Sequence, residues 1–324
     1  MKLPRTIICL LSTILIFFGC KNQASKQPRK TVKSEVTITK PVVSFTFDDG
    51  ITSDIAGFKF EDWNQKILTH LENENLKAVF FVTGKNKTNE KGQFLLNSWN
   101  SKNHKIANHT FTHPNFNSEE NTSLLFEKEL LKTDSIISKF DNGVKLFRFP
   151  YLKEGENQHK VDSIRKILIE NKYSNGYVTI DASDWYVNQR LIVKILKSGY
   201  EKTEIEKFKN FYIQHIMERA NFYEKLSYQM NERHINHTLL LHHNLTSALF
   251  LGDLIDAFKS NGWEVVNADK AYQDKIFEEV PHASFAGESL IYSLAKESGK
   301  FEQLLRYPAE DSRYEKQKMD KLGL

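Results

Sequence analysis

From Pro41 onward, short apolar runs alternate with longer stretches in which apolar residues recur at helical spacing. The runs fall at 42–47, 78–83, 105–109, 146–149, 176–180, 238–241 and 263–266, and each reads as a strand. Between them Trp63, Ile67, Leu68 and Leu71 follow the helical period, as do Leu124, Leu125, Leu131, Ile136 and Ile137. Strand, helix, strand is the repeating unit, which predicts an α/β fold rather than a sandwich or a bundle.

The stretch at about 190–232 is helical in pattern throughout and carries no strand signal, so it reads as a helical insertion between the fifth and sixth strands. Phe208, Phe211, Tyr212 and His215 share one face of it. A sugar-stacking wall is one use for such a stripe; ordinary helix packing is the commoner one and is the expectation here. Residues 281–324 hold a further helical pattern around Leu290, Ile291 and Leu294 and then a charged tail, expected to pack outside the sheet.

The N-terminus differs in kind. Lys2 and Arg5 precede an apolar run from Ile7 to Phe18, shorter than the roughly 20 residues a membrane-spanning helix needs. Residues 1–19 therefore read as a signal peptide. The run ends at Gly19-Cys20, which resembles the processing site of bacterial lipoproteins, where the cysteine is lipidated and becomes the new N-terminus. Cys9 lies inside the leader and Cys20 at its end, so no cysteine pair remains for a disulfide. Residues 20–40, rich in Lys, Gln, Ser and Thr, read as a flexible tether to a domain spanning 41–280. These features predict a cell-envelope lipoprotein whose domain faces away from the cytoplasm.

With 324 residues and 40% hydrophobic content, the chain is long enough to bury a real core. Its formal net charge is +4, and Lys2 and Arg5 contribute two of those charges. So small a surplus excludes nucleic acid as an expected partner.

The residues with chemical promise sit just after the apolar runs. Phe47 leads into Asp48, Asp49 and Gly50; Ile106 leads to His109 and His113; Leu146 leads to Arg148, Pro150 and Tyr151. Ile180 leads into Asp181, Asp184 and Trp185, and Leu241 into His242 and His243. In a barrel of parallel strands, those C-terminal ends converge on one mouth. Two histidines with three residues between them, and a carboxylate from another strand, form the N,N,O set that zinc uses in catalytic sites. Asp49, His109 and His113 would supply it; Pro114 makes a continuing helix through His113 less natural than a loop.

An activated water needs a base that the metal does not already occupy, and Asp48 fits. From the tripeptide alone, a turn that favours Asp and Gly is an equal reading. Breaking an amide also requires a proton for the departing nitrogen, for which His242 or His243 is available. Strand alternation puts the two on opposite faces, and His242 is preferred as the acid.

Taken together, Thr46-Phe47-Asp48-Asp49-Gly50, His109-Thr110-Phe111-Thr112-His113-Pro114, Arg148-Phe149-Pro150-Tyr151, Asp181-Ala182-Ser183-Asp184-Trp185 and Leu240-Leu241-His242 resemble, in order, the motifs of the polysaccharide deacetylase family. This is the NodB-homology group, or carbohydrate esterase family 4. The resemblance implies a distorted (β/α)7 barrel with Asp48 as base and Asp49, His109 and His113 as metal triad. It also implies that Arg148 holds the base, that Asp184 orients the acid His242, and that Trp185 and Leu240 line the pocket for the acetyl methyl group. A backbone N–H near Tyr151 is expected to help hold the oxyanion. The implied cofactor is one divalent ion, zinc first, with cobalt or another divalent ion admissible; the implied partner is an acetylated glycan. Two departures touch substrate choice: Ile51 stands where the family often has Pro, and the 190–232 insertion is longer than the family usually carries there.

Two other functions fit less well. A carbohydrate-binding lipoprotein on the same fold has no need to retain both Asp48 and His242, and a hydrolase of small soluble amides has no need of a lipid anchor.

Overall fold

The computed structural model describes residues 39–282, 288–305 and 312–324. The expected leader at 1–19, Cys20, all but the last two residues of the tether, and two stretches of the C-terminal extension lie outside the described residues. Every element described belongs to one compact unit, Ile38–Leu324.

In chain order the elements are β1 (Val42–Asp49), α1 (Phe60–Asn73), β2 (Val79–Val82), α2 (Glu90–Ser101), β3 (Lys105–Asn108), α3 (Ser123–Ile137), β4 (Gly143–Phe147), α4 (Gln158–Glu170) and β5 (Ser174–Asn175). They continue as α5 (Asp184–Ser198), α6 (Ile205–Asn231), β6 (Asn236–His242), α7 (Leu245–Ser260), β7 (Glu264–Val265), α8 (Ala268–Ala271), α9 (Leu290–Ser298) and α10 (Arg313–Leu322). The sheet runs β5-β4-β3-β2-β1-β6, with β7 pairing to the start of β1, and all pairs are parallel. It is a curled, partly open parallel sheet surrounded by helices, in keeping with the distorted barrel expected from the sequence.

Residue parity along β1 decides which side chains face the barrel interior. Val43, Phe45 and Phe47 point outward into the main core under the helices. Ser44 and Thr46 point inward, where their hydroxyls bond the carbonyls of His237 and Leu239 on β6, and Asp48 continues that inner row. On β6 the same alternation sends Leu239 and Leu241 to the core and leaves Leu240 and His242 inside. Across the pair, Asp48 stands in register with His242.

The fifth strand differs from expectation. Instead of a run over 176–180, a two-residue pairing with β4 at 174–175 is followed by a single bridge from Ile180 to Leu239 on β6. The reason is where the carbonyls go. Gly176 O accepts from Arg148 Nε at 2.9 Å, and Tyr177 O from the hydroxyls of Thr238 and Tyr272, so the segment spends these groups on side chains rather than on a ladder. Among the described residues, this split segment pairs with β4 at one end and bridges to β6 at the other. The fourth strand begins earlier than expected, at Gly143, with a register irregularity against β3 between Ile106 and Asn108.

Around the sheet, α1 buries Trp63, Ile67, Leu68 and Leu71 as its period predicts. In α3 the buried face is instead Phe126, Leu130, Thr133, Ile136 and Ile137, while Leu124, Leu125 and Leu131 are exposed. Phe126, which packs against Phe116 and Phe149, sets the helix rotation. The stretch at about 190–232 contains most of α5 and all of the 27-residue α6. Phe208, Phe211, Tyr212 and His215 are all buried, so the aromatic stripe is packing, not a sugar platform. No helix among the described residues is long and apolar enough to cross a membrane.

Candidate active site

A cavity of about 350 Å3 opens where β1, β3, β4 and β6 end, the mouth at which parallel strands and their loops converge. Its lining includes Asp48, Asp49, His109, His113, Tyr151, Trp185, Leu240 and His242, which brings together eight of the residues singled out in the sequence. Arg148 and Asp184 stand directly behind it, fully buried.

The loop after β3 is shaped to present two imidazoles. Thr110 and His113 both adopt left-handed backbone conformations, with φ of 67° and 61°. For residues with a Cβ that geometry is costly and needs local support. The support is visible: Asn108 Oδ1 accepts from the Thr110 N–H, and Glu129 Oε2 accepts from the N–H groups of Phe111 and Thr112 and from the Thr112 hydroxyl. Thr133 donates to the Thr110 carbonyl at 2.8 Å. Asp49 ends β1 in the same left-handed region, at φ 77°, followed by Gly50 at 69°. Its carbonyl accepts from the Thr83 N–H and hydroxyl, with the Lys87 ammonium a more distant donor at 3.4 Å.

Asp49, His109 and His113 each offer one ligand atom, and these atoms all lie within 4.8 Å of one another. Asp49 Oδ1 is 3.6 Å from His113 Nε2 and 3.8 Å from His109 Nε2. His109 Nδ1 donates to the Arg148 carbonyl at 2.8 Å, which fixes the tautomer and leaves Nε2 with its lone pair toward the cluster. Burial and the neighbouring His109 push His113 down to about 4, so its ring is neutral at pH 7 and able to ligate. Burial works to raise the Asp49 carboxyl, but His242, His113, His109 and Lys87 outweigh it and hold Asp49 below the ordinary value. One carboxylate and two imidazoles that turn Nε2 toward it are a donor set that suits a divalent cation.

Asp48 is buried beside this cluster and bonded to Arg148, whose Nη1 donates to Asp48 Oδ1 at 2.7 Å and to the Thr46 hydroxyl at 2.8 Å. Two further guanidinium donors are used: Nε to Gly176 O at 2.9 Å, and Nη2 to the Tyr272 hydroxyl at 2.9 Å. The guanidinium carbon sits 3.8 Å from the centre of the Phe81 ring. An arginine so fully engaged cannot swing away, and Asp48 is held with it.

His242 reaches the cavity from β6. Its Nδ1 lies 2.7 Å from Asp184 Oδ1, while its own N–H donates to Asp184 Oδ2 at 2.9 Å. Burial pulls the imidazole pKa down, yet the Asp184 carboxylate, assisted by Asp49 and Asp48, pushes it up to about 10. At pH 7 the ring therefore carries a proton on both nitrogens. His243 points the other way, packed 4.4 Å from the Trp63 ring with Nε2 on Asn64 Oδ1, and burial keeps it neutral.

Three supporting residues escaped the sequence reading. Asn244, whose amide donates to Asp184 Oδ2 at 3.0 Å, directly follows the His242-His243 pair, and that adjacency is the one signal the sequence carries for it. Tyr272 and Phe81, which brace Arg148, gave no signal, because each reaches it from a distant part of the chain.

Residues 35–168, the stretch that carries Asp48, Asp49, His109, His113 and Arg148, match the family model described as polysaccharide deacetylase. A peptidoglycan-N-acetylglucosamine deacetylase of Bacillus cereus is 31% identical over 150 residues, covering 45% of this chain and 47% of that protein. The chain thus spans about half the length of this relative. Among solved structures, a mutant of a carbohydrate esterase family 4 pseudoenzyme with restored enzymatic activity aligns with a TM-score of 0.51 at 21% identity, over 72% of this chain and 68% of the other. The unmutated pseudoenzyme, from Bacillus anthracis, aligns at 0.50 with 19% identity, over 72% and 66%. At this identity the structural likeness speaks for the fold alone.

Proposed function

We propose that the chain is a metal-dependent hydrolase that removes acetyl groups from a carbohydrate, N-acetyl in preference to O-acetyl. The observation that carries this reading is that the Asp49, His109 and His113 ligand set shares one cavity with a braced carboxylate and a protonated imidazole. The family match supports the reaction class, and the similarity to a peptidoglycan-N-acetylglucosamine deacetylase supports an N-acetylated glycan as substrate.

In this reading Asp49, His109 and His113 would hold one divalent ion, zinc first and cobalt or another divalent ion as alternatives. Such an ion supplies Lewis acidity toward the acetyl carbonyl. Asp48, oriented by Arg148, takes a proton from the attacking water. His242 Nε2–H gives its proton to the departing nitrogen, while Nδ1–H stays on Asp184, so the imidazole is aimed and kept charged until that step. The N–H of Tyr151 assists the developing oxyanion, and Trp185 and Leu240 give the acetyl methyl an apolar, water-poor wall.

An address goes with this function: residues 1–19 as an export leader, Cys20 as a lipidated anchor, and 20–40 as the tether that keeps the domain at a bacterial membrane outside the cytoplasm. Support for it comes from the basic head, short apolar run and Gly19-Cys20 in the sequence.

The test is acetate release from a panel of N- and O-acetylated glycans, with chelator, metal add-back and Asp48→Asn as controls. Release that a chelator stops and a divalent ion restores is the expected result. A protein that binds the ion and the glycan but releases no acetate from any of them would refute it.

A further inference from the structure

We infer that α6 and α10, which lie outside the stretch matched by the family model, carry a buried polar relay that positions the Asp184–His242 pair from behind. The inference rests on the proposed deacetylase reading. Its starting point is Ser183, the residue before Asp184 and the N-cap position of α5. A serine there ordinarily turns its hydroxyl back onto its own helix's N–H groups. Ser183 makes no such cap bond. Its Oγ instead lies 3.3 Å from His215 Nε2, on α6.

Behind His215 stands Glu315 of α10, whose Oε1 is 3.5 Å from His215 Nδ1 and 2.9 Å from Arg219 Nη2. Ser183, His215, Arg219 and Glu315 are all buried. The order hydroxyl, imidazole, carboxylate is that of a nucleophilic triad, but Ser183 is fully enclosed and no acyl substrate can reach it. The same logic then serves orientation. The carboxylate favours the His215 tautomer with its proton on Nδ1, so Nε2 accepts from the Ser183 hydroxyl. That bond anchors the peptide between Ala182, in the cavity wall, and Asp184, behind His242.

Energetics point the same way. A buried ion pair contributes little net stability compared with apolar residues of the same shape, so packing α10 on α6 does not by itself call for Arg219 and Glu315. Fixing the direction of His215 does. Ser183, His215 and Glu315 are thus positioning residues, and α10 is coupled through them to the group that protonates the leaving nitrogen.

The experiment uses the full chain with Ser183→Ala, Glu315→Gln and the double variant, and Met319→Ala as control. Met319 is buried on α10 but takes no part in the relay. Each single variant should lower kcat about tenfold, as small misplacements of catalytic groups do, with KM and metal affinity unchanged; the double variant should be no worse than either single one. Histidine 15N labelling gives a second readout, the downfield imidazole N–H resonance of His242, identified by its loss in His242→Gln. It should broaden or move upfield in both relay variants. Met319→Ala should lower Tm but leave kcat and that resonance alone. If Glu315→Gln leaves kcat and the resonance unchanged, or Met319→Ala reproduces its effects, the relay does not exist. Absence of turnover in the unaltered protein would refute the deacetylase reading instead, and the resonance would still decide the coupling.

Discussion

Asp48 and His242 are paired positions on the neighbouring strands β1 and β6, both on the face that looks into the barrel. Each is held by one buried partner, Arg148 for the carboxylate and Asp184 for the imidazole. The two groups assigned to proton movement are therefore fixed to each other by a strand ladder. Asp48→Asn keeps the shape and a hydrogen bond to Arg148 but cannot take a proton. It should lower kcat by about 10²–10⁴-fold, the range for loss of a general base, with metal affinity retained. Steady-state kinetics together with metal titration checks both halves.

His242 offers a pH test in the metal-free protein. Its folded pKa of about 10 lies above the ordinary imidazole value. The protonated ring therefore contributes stability that is complete below about pH 6.5 and lost as pH rises from there toward about 10. In Asp184→Asn the largest upward influence is gone while burial remains, so the ring should titrate well below about 10. Histidine chemical shifts followed across pH decide this; an unchanged titration in Asp184→Asn would mean the pair is not coupled.

How much of this was legible beforehand follows from the range of each interaction. The αβ alternation, and the inward parity of Asp48 and His242 against the outward parity of His243, are local periodicities written into consecutive residues. The metal-ligand cluster required only that strand ends converge. The fifth strand could not be read correctly, because its carbonyls are claimed by Arg148, Tyr272 and Thr238, which lie tens of residues away. The rotation of α3 was missed for a similar reason: Phe126 is selected over Leu124 and Leu125 by rings it meets only in the folded chain.

Removal of the cation should act on stability as well as on activity. The ligand atoms converge only in the folded chain, so an ion that binds there adds stability by mass action, about 4 kcal/mol at a thousand times its dissociation constant. Melting with zinc, with cobalt and with a chelator should show that order of effect. His113→Ala should abolish the increment, since it removes a ligand outright, whereas losing an outer partner weakens affinity by about 10–100-fold.

Arg148 should prove a structural as well as a catalytic dependency. Arg148→Met preserves much of the volume but leaves Asp48 buried without its cation. Breaking a buried pair from one side costs about 3–5 kcal/mol. Denaturant unfolding near neutral pH should show this loss. Much of it should disappear in the double variant with Asp48→Asn, because the stranded charge is then gone.

Gly176 tests the brace from the other side. A methyl group added there would lie 2.4 Å from Phe81 Cε1 and 2.5 Å from Cζ, too close for any real contact. Phe81 is fully buried, so its ring cannot swing clear; it must shift, and the Arg148 guanidinium stacked on it must shift too. The Gly176 carbonyl, which accepts from Arg148 Nε, would move in the same step. Overpacking of this kind costs about 1–3 kcal/mol. Gly176→Ala should therefore lower stability by that amount and also lower kcat, because Asp48 follows Arg148. Metal affinity should change less than kcat, since the atoms nearest the added methyl belong to Phe81 and Phe147 and not to Asp49, His109 or His113. A variant with lowered stability but full kcat in the folded fraction would show that Asp48 does not depend on the Phe81–Arg148 stack.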